Sequence, residues 1–96
     1  MNEALLIQKA KKELTKNGGF AWSGSAWSDI FHIFDILYIS PGGLYTSYFQ
    51  VSTQDHRWAR LNKINKWKRE YGGLPERSFL MLWNYKLNAF EIEPLT

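Results

Sequence analysis

The sequence contains no cysteine, which excludes disulfide bonds and thiolate metal sites. It also lacks a long hydrophobic run. The longest apolar stretch, residues 30–39, includes His32 and Asp35 and is too short to span a bilayer. Met1 leads into a charged amphipathic segment and not into an apolar signal peptide. These absences predict a soluble cytoplasmic protein without a membrane partner.

Acidic residues are the minority among the charges, with nine Asp and Glu against twelve Lys and Arg and a formal net charge of +3. The positions of the cations are more informative than their sum. Six lie between Arg57 and Arg69, and four lie near the N-terminus at Lys9, Lys11, Lys12 and Lys16. Two basic clusters favour a polyanion partner. The alternative is a pair of solvated helix faces.

The length of 96 residues predicts one domain, residues 1–96, because a second domain would be too small to hold its own core. Apolar periodicity and turn residues predict an α/β chain with the order α-β-β-β-α-β-β. The first helix is capped by Asn2 and ends near Lys16, and the second is capped by Asp55 and covers about residues 56–71. The strands are expected at residues 20–23, 30–40, 44–53, 78–85 and 88–93.

A polar cluster is expected on the hairpin formed by the second and third strands. Side chains alternate between the two faces of a strand, and a turn centred on Gly42 sets Asp35 opposite or diagonal to Gln50. Ser52 shares the face of Gln50. A buried carboxylate needs compensation, so Asp35 is either part of a site or a hydrogen-bonded structural residue. For Gln50 and Ser52 the alternative is an outward polar stripe.

Several short motifs occur in the order found in one nuclease family: Gly19-Phe20, Ser23-Gly24-Ser25, Asp35-Ile36 and Gln50-Val51-Ser52. With the order of helices and strands, the chain resembles the PD-(D/E)XK nuclease superfamily, nearest the small Holliday-junction resolvase type. The resemblance covers nearly the whole chain. It implies a restriction-endonuclease-like fold, in which a central mixed sheet is flanked by helices.

The resemblance also implies a site for Mg²⁺ or Mn²⁺ if the protein is active. Asp35 would be the first ligand, Gln50 would replace the family's Glu, and the main-chain carbonyl of Val51 would be a further ligand. Ser52 stands where the family has Lys, so the implied catalytic residues are Asp35, Gln50 and Ser52. The missing carboxylate and cation have candidate replacements on the two helices: Glu3 or Glu13, Lys63 or Arg60, and His56 as a base.

The second helix carries cations that could follow a nucleic-acid backbone without reading its sequence. With the serine loop, the expected nucleic-acid-binding residues are Arg57, Arg60, Lys63, Lys66, Arg69, Ser23 and Ser25. Trp58 lies outside the apolar sector of this helix and is expected to pack on the hairpin, with base stacking as the alternative. Asp29 and His32 form a weaker pair, for which a structural role is expected.

The first functional hypothesis is a metal-dependent DNA endonuclease, similar to Holliday-junction resolvases, that acts on branched or structured DNA. The resemblance implies that it is a homodimer. The alternative is a non-catalytic protein of nuclease fold that binds DNA or a protein partner. A third interpretation, an interaction adaptor, fits the small size and the aromatic content. Gln50 and Ser52 separate the first two hypotheses, because both depart from the residues that the family uses.

Overall fold

The computed structural model describes residues 2–24 and 33–96. Two α-helices, α1 (Glu3–Thr15) and α2 (Arg57–Tyr71), accompany five strands: β1 (Phe20–Ser23), β2 (Ile36–Ile39), β3 (Thr46–Thr53), β4 (Ser78–Asn84) and β5 (Ala89–Pro94). The order along the chain is the predicted α-β-β-β-α-β-β. None of the helices in the described ranges combines the length and the apolar character that crossing a membrane requires.

The strands form one mixed sheet in the order β1-β2-β3-β4-β5. Every neighbouring pair is antiparallel except β3 and β4, which are parallel. A parallel connection needs a long crossover, and α2 supplies it between β3 and β4. The prediction of an α/β chain with a mixed sheet is therefore confirmed.

Helix α1 covers one face of the sheet. The side chain of Asn2 accepts a hydrogen bond from the Leu5 N–H at 2.8 Å, which confirms the predicted cap. Leu6 and Ala10 point into a core whose other buried members come from β2, β3 and β4: Ile36, Phe49, Val51, Met81 and Trp83. The four-residue spacing of the two helix residues explains why they share this face.

Helix α2 covers the opposite face. Ile64 is 1% exposed and packs on Leu80 and Leu82, which alternate along β4 with the residues that face α1. The sheet is therefore flanked by a helix on each side, as predicted. Gly72 ends α2 in the left-handed conformation, with its N–H bonded to the Lys68 carbonyl.

Strand β2 is shorter than the predicted strand over residues 30–40. It begins at Ile36, which pairs with Phe49, and residues 25–32 lie outside the described part of the chain. The Asp35 N–H still bonds to the Phe49 carbonyl at 2.8 Å, but the next donor on β3, the Val51 N–H, bonds to the Asp35 carboxylate. A side chain thus replaces a backbone acceptor, and the regular pairing of β2 with β3 stops there.

The predicted cap of the second helix is wrong. Asp55 lies inside a short 3-10 turn, Gln54–His56, which precedes α2. His56 is the N-cap residue and makes no side-chain capping hydrogen bond. Because of this extra turn, α2 starts at Arg57 and Asp55 lies two residues before the helix instead of one. An Asp close to a helix start was therefore not enough to identify the cap.

Gly19 allows a close approach between the end of α1 and β2, and replacing it by Ala should destabilise the protein. Gly19 has φ +86°, and an added Cβ would lie 2.7 Å from the Ile39 carbonyl oxygen and against the Tyr38 ring. Gly43 has φ +70° but open space around it, so Gly43→Ala is the matched control for conformational strain alone. We expect a loss of about 1–2 kcal/mol for Gly43→Ala and a clearly larger loss for Gly19→Ala. Urea denaturation measures both, and equal losses would contradict the packing at Gly19.

Candidate functional site

The structure brings Asp35 and Gln50 together on the face of the sheet that α2 covers. The Gln50 Nε2 donates to Asp35 Oδ2 at 3.0 Å, and the Val51 N–H donates to the same oxygen at 2.8 Å. Asp35 is 6% exposed and Gln50 is 3% exposed. The hairpin register that the alternation of side chains predicted therefore holds at this position. Two hydrogen bonds to a charged acceptor offset part of the cost of burying Asp35.

This arrangement does not fit a resident Mg²⁺ or Mn²⁺. A cation needs oxygen ligands, whereas Asp35 Oδ2 faces the N–H groups of Gln50 and Val51. The Gln50 Oε1 is buried and has no hydrogen-bond partner in the structure as described, but it belongs to an amide whose nitrogen is the group turned to Asp35. Across residues 2–24 and 33–96, no three His, Cys, Asp or Glu side chains are grouped as metal ligands.

Ser52, which stands in the expected cation position, has a cation beside it. Ser52 is 4% exposed, and its Oγ accepts a hydrogen bond from Arg60 Nε at 3.4 Å. The bond is long and therefore weak, but its geometry shows that the guanidinium lies next to Ser52. Of the two replacements considered from the sequence, Arg60 reaches this position, while Lys63 is exposed on the helix.

A cavity of about 250 Å³ opens next to Ser52, at the carboxyl end of β3. Its lining includes three residues that the sequence offered as replacements for the missing groups, Glu3, His56 and Arg60. Glu13, the other candidate carboxylate, is 2.7 Å from Lys16 Nζ and lies elsewhere on α1. Asp55 lines the same cavity, so two carboxylates, an imidazole and a guanidinium surround it. The guanidinium can bind a phosphate ester, and the imidazole and the carboxylates can transfer a proton or orient a water molecule.

The cations of α2 differ in whether an acidic residue pairs with them. Arg57 is held by Glu93 of β5, with Nη2–Oε1 and Nε–Oε2 distances of 2.6 and 3.0 Å. The hydrogen bond from Arg57 lowers the pKa of Glu93, so the pair stays ionised and its charges offset each other. Lys63, Lys66 and Arg69 are exposed, and none of them forms an ion pair with another described residue.

Trp58 does not pack on the hairpin as expected. Its side chain is 71% exposed at the start of α2. The apolar sector of the helix buries Ile64, and this side of the helix continues with a ring contact between Trp67 and Tyr71, whose centroids are 4.6 Å apart. Trp58 projects away from that sector, as its position on the helical wheel indicated.

The serine loop is only partly described. Ser23 Oγ accepts a hydrogen bond from Lys11 Nζ of α1 at 3.2 Å. Ser23 has the same parity on β1 as Ala21, which packs on the α1 side, so it lies on the opposite face from Gln50 and Ser52. The structure thus separates Ser23 from the Asp35 site. Ser25, Asp29 and His32 lie outside the described residues.

Comparison with known proteins finds no match among family models, curated proteins or solved structures. The sequence reasoning did not identify Glu93 as the partner of Arg57. No local signal marks that pair, because the two residues are 36 positions apart and meet only through the position of α2 beside β5.

Proposed function

We propose that this protein binds DNA along the cations of α2, on a scaffold of the PD-(D/E)XK nuclease type. The observation that carries the proposal is a row of cations on α2 that starts beside the sheet and winds around the helix. The Arg60 guanidinium lies beside Ser52, and exposed cations follow at three-residue intervals at Lys63, Lys66 and Arg69. A row of unneutralised cations suits the phosphate backbone of DNA and carries no preference for base sequence.

The composition of α2 supports the same proposal. Its sequence, RWARLNKINKWKREY, has six cations and one acidic residue, Glu70. Trp58 adds a large exposed ring in the first turn of the same helix. A base can stack on such a ring only where it is unpaired, so the surface is better suited to branched or structured DNA than to a continuous duplex.

Phosphodiester hydrolysis is a second candidate function, favoured by the cavity beside Ser52. In this reading Arg60 would stabilise the charge that develops on the scissile phosphate, and His56 would transfer a proton. Glu3 would orient the attacking water. Asp35 would act from behind the cavity, because its carboxylate holds the Val51 N–H and the Gln50 amide in place.

The two functions are separated by incubating the protein with branched, duplex and single-stranded DNA, in Mg²⁺, Mn²⁺ or a chelator. If cleavage occurs, Arg60→Gln should lower its rate about 100-fold, because a cation at the reacting phosphate is lost. Lys63→Gln removes a cation from the same helix outside the cavity, so it should weaken binding and leave the rate at saturating DNA nearly unchanged. Ser52→Lys should not raise the rate, since Arg60 already supplies a cation there.

Each outcome of this experiment decides between the candidates. Binding without cleavage under every metal condition would leave DNA binding as the function and would reject hydrolysis. Cleavage that Arg60→Gln does not slow would reject the role given to the cavity. An absence of DNA binding at low salt would contradict both. Sedimentation of the same samples, with and without DNA, measures the oligomeric state and tests whether the protein forms the homodimer that the resemblance implies.

A further inference from the structure

A second cavity, of about 330 Å³, lies between α1 and the hairpin formed by β4 and β5. Its lining combines cations, a carboxylate, rings and an amide: Lys9, Lys12, Glu13, Trp83, Asn88 and Phe90. None of these residues takes part in the site at Asp35 or in the cation row of α2. The volume is at the lower end of the range of roughly 300–1,000 Å³ that is typical of small-ligand sites.

The cavity is positively charged once the ion pairs are considered. Glu13 is the one carboxylate in its lining, and its Oε1 is 2.7 Å from Lys16 Nζ outside the cavity. The Lys9 ammonium lies 5.0 Å from the centroid of the Trp83 ring, a cation–π contact that fixes its position without removing its charge. Lys9 and Lys12 therefore present two ammonium groups that no acidic residue of the described chain pairs with.

The hairpin side of the cavity is held in place by several hydrogen bonds. Asn84 Oδ1 accepts from the N–H groups of Lys86 and Leu87 at 2.9 and 3.2 Å, and Asn84 Nδ2 donates to Glu91 at 2.7 Å. Asn88 follows in the left-handed conformation, with φ 51°. The Trp83 and Phe90 rings meet edge to face at a centroid distance of 5.0 Å. A wall that is ordered before binding lowers the entropy cost of holding a ligand.

The cavity lies on the other face of the sheet from α2. On β4 the Trp83 side chain packs with the core under α1, whereas its neighbour Leu82 packs with Ile64 of α2. Ligands at the two surfaces would therefore be separated by the thickness of the sheet. A single phosphate group cannot contact both sets of cations.

We propose that this cavity binds the phosphate of a nucleoside 5′-phosphate, as a second phosphate site that does not depend on α2. The two ammonium groups match the charge of a phosphomonoester, and the Asn88 amide and the Phe90 ring provide polar and apolar contacts for the nucleoside. The same chemistry is found in a free mononucleotide and at the 5′-phosphorylated end of a DNA strand. The inference stands whether or not α2 binds DNA.

The test is an NMR titration of the ¹⁵N-labelled protein with deoxyadenosine 5′-monophosphate, deoxyadenosine and inorganic phosphate. The nucleotide should shift the Trp83 indole N–H and the Asn88 amide signals, with a dissociation constant at least tenfold lower than that of deoxyadenosine. Lys12→Gln, an exposed position, should weaken nucleotide binding at least tenfold. Lys66→Gln on α2 is the matched control and should leave it unchanged. Lys9→Gln is used only with a thermal melt, because Lys9 also contacts Trp83.

The source of the phosphate is decided by competition with a 5′-phosphorylated and a 5′-hydroxyl oligonucleotide. Displacement of the nucleotide by the phosphorylated strand alone would assign the site to DNA ends, and displacement by neither strand would assign it to free nucleotides. Equal affinity for the nucleotide and deoxyadenosine would overturn the proposal. So would an affinity that Lys12→Gln leaves unchanged, or the absence of shifts at millimolar nucleotide. These results do not depend on DNA binding by α2, which is measured separately.

Discussion

Replacing Asp35 by Ala is expected to lower the free energy of unfolding by about 3 kcal/mol, because two buried N–H donors lose a charged acceptor. One is the Gln50 amide and the other is the Val51 N–H of β3, both bonded to Asp35 Oδ2. The Val51 donor cannot turn to water without breaking the strand. Denaturation in urea, followed by circular dichroism, measures the loss.

Asp35→Asn is the matched control for this substitution. It keeps the size of the side chain and one oxygen acceptor but removes the charge, so about 1–2 kcal/mol should be lost. A neutral or stabilising Asp35→Ala would contradict the structural role. It would indicate that burying the carboxylate costs more free energy than its hydrogen bonds contribute. Such a balance is typical of a residue kept for function at the expense of stability.

Reversing the charges of Lys63 and Lys66 to Glu should lower DNA affinity on the order of 100-fold at low salt, with a similar loss for all sequences. Both side chains are exposed on α2, so the fold should be unaffected. The plot of log K against log salt should become less steep. The magnitude of its negative slope should decrease by roughly two, since each phosphate contact contributes about 0.9 to it. Fluorescence anisotropy with a labelled branched DNA gives both values.

The matched control reverses Lys16 and Lys86, two exposed cations that lie outside α2. It changes the net charge by the same amount. With DNA that carries only 5′-hydroxyl ends, which the cavity at Lys9 and Lys12 is not expected to bind, it measures the effect of overall charge. A similar loss of affinity in both double variants would show that the whole protein attracts DNA without a defined surface. No loss in either variant would favour a protein partner.

Local patterns predicted most of the fold because the signals in this chain are local. The apolar spacing of Leu6 and Ala10 and the Asn2 cap are enough to place α1. The alternation of side chains, together with one turn at Gly42, sets Asp35 opposite Gln50. The order of the elements follows from the same signals, whereas the mixed sheet was expected from the resemblance to the nuclease family.

The contacts that define the site could not be predicted, because they depend on how the helices lie on the sheet. The sequence offered both Lys63 and Arg60 as the cation near Ser52. Arg60 takes this position because the packing of Ile64 on the sheet sets which side of α2 faces Ser52. The Arg57–Glu93 pair depends on the position of α2 beside β5. The pairing of β2 with β3 ends where the Asp35 side chain, and not a backbone carbonyl, accepts from the Val51 N–H. Strand propensities of single residues do not predict such a contact.

An NMR titration of the ¹⁵N-labelled protein with branched DNA tests the proposed DNA-binding surface most directly. We expect the largest amide shifts at Lys63, Lys66 and Arg69 on α2, with further shifts at Ser52 on β3, and we expect all of them to weaken as salt is added. The exposed side chains of Phe20 and Trp22 on β1 provide the comparison surface. Shifts concentrated on β1 and insensitive to salt, or an absence of shifts on α2, would contradict DNA binding along α2.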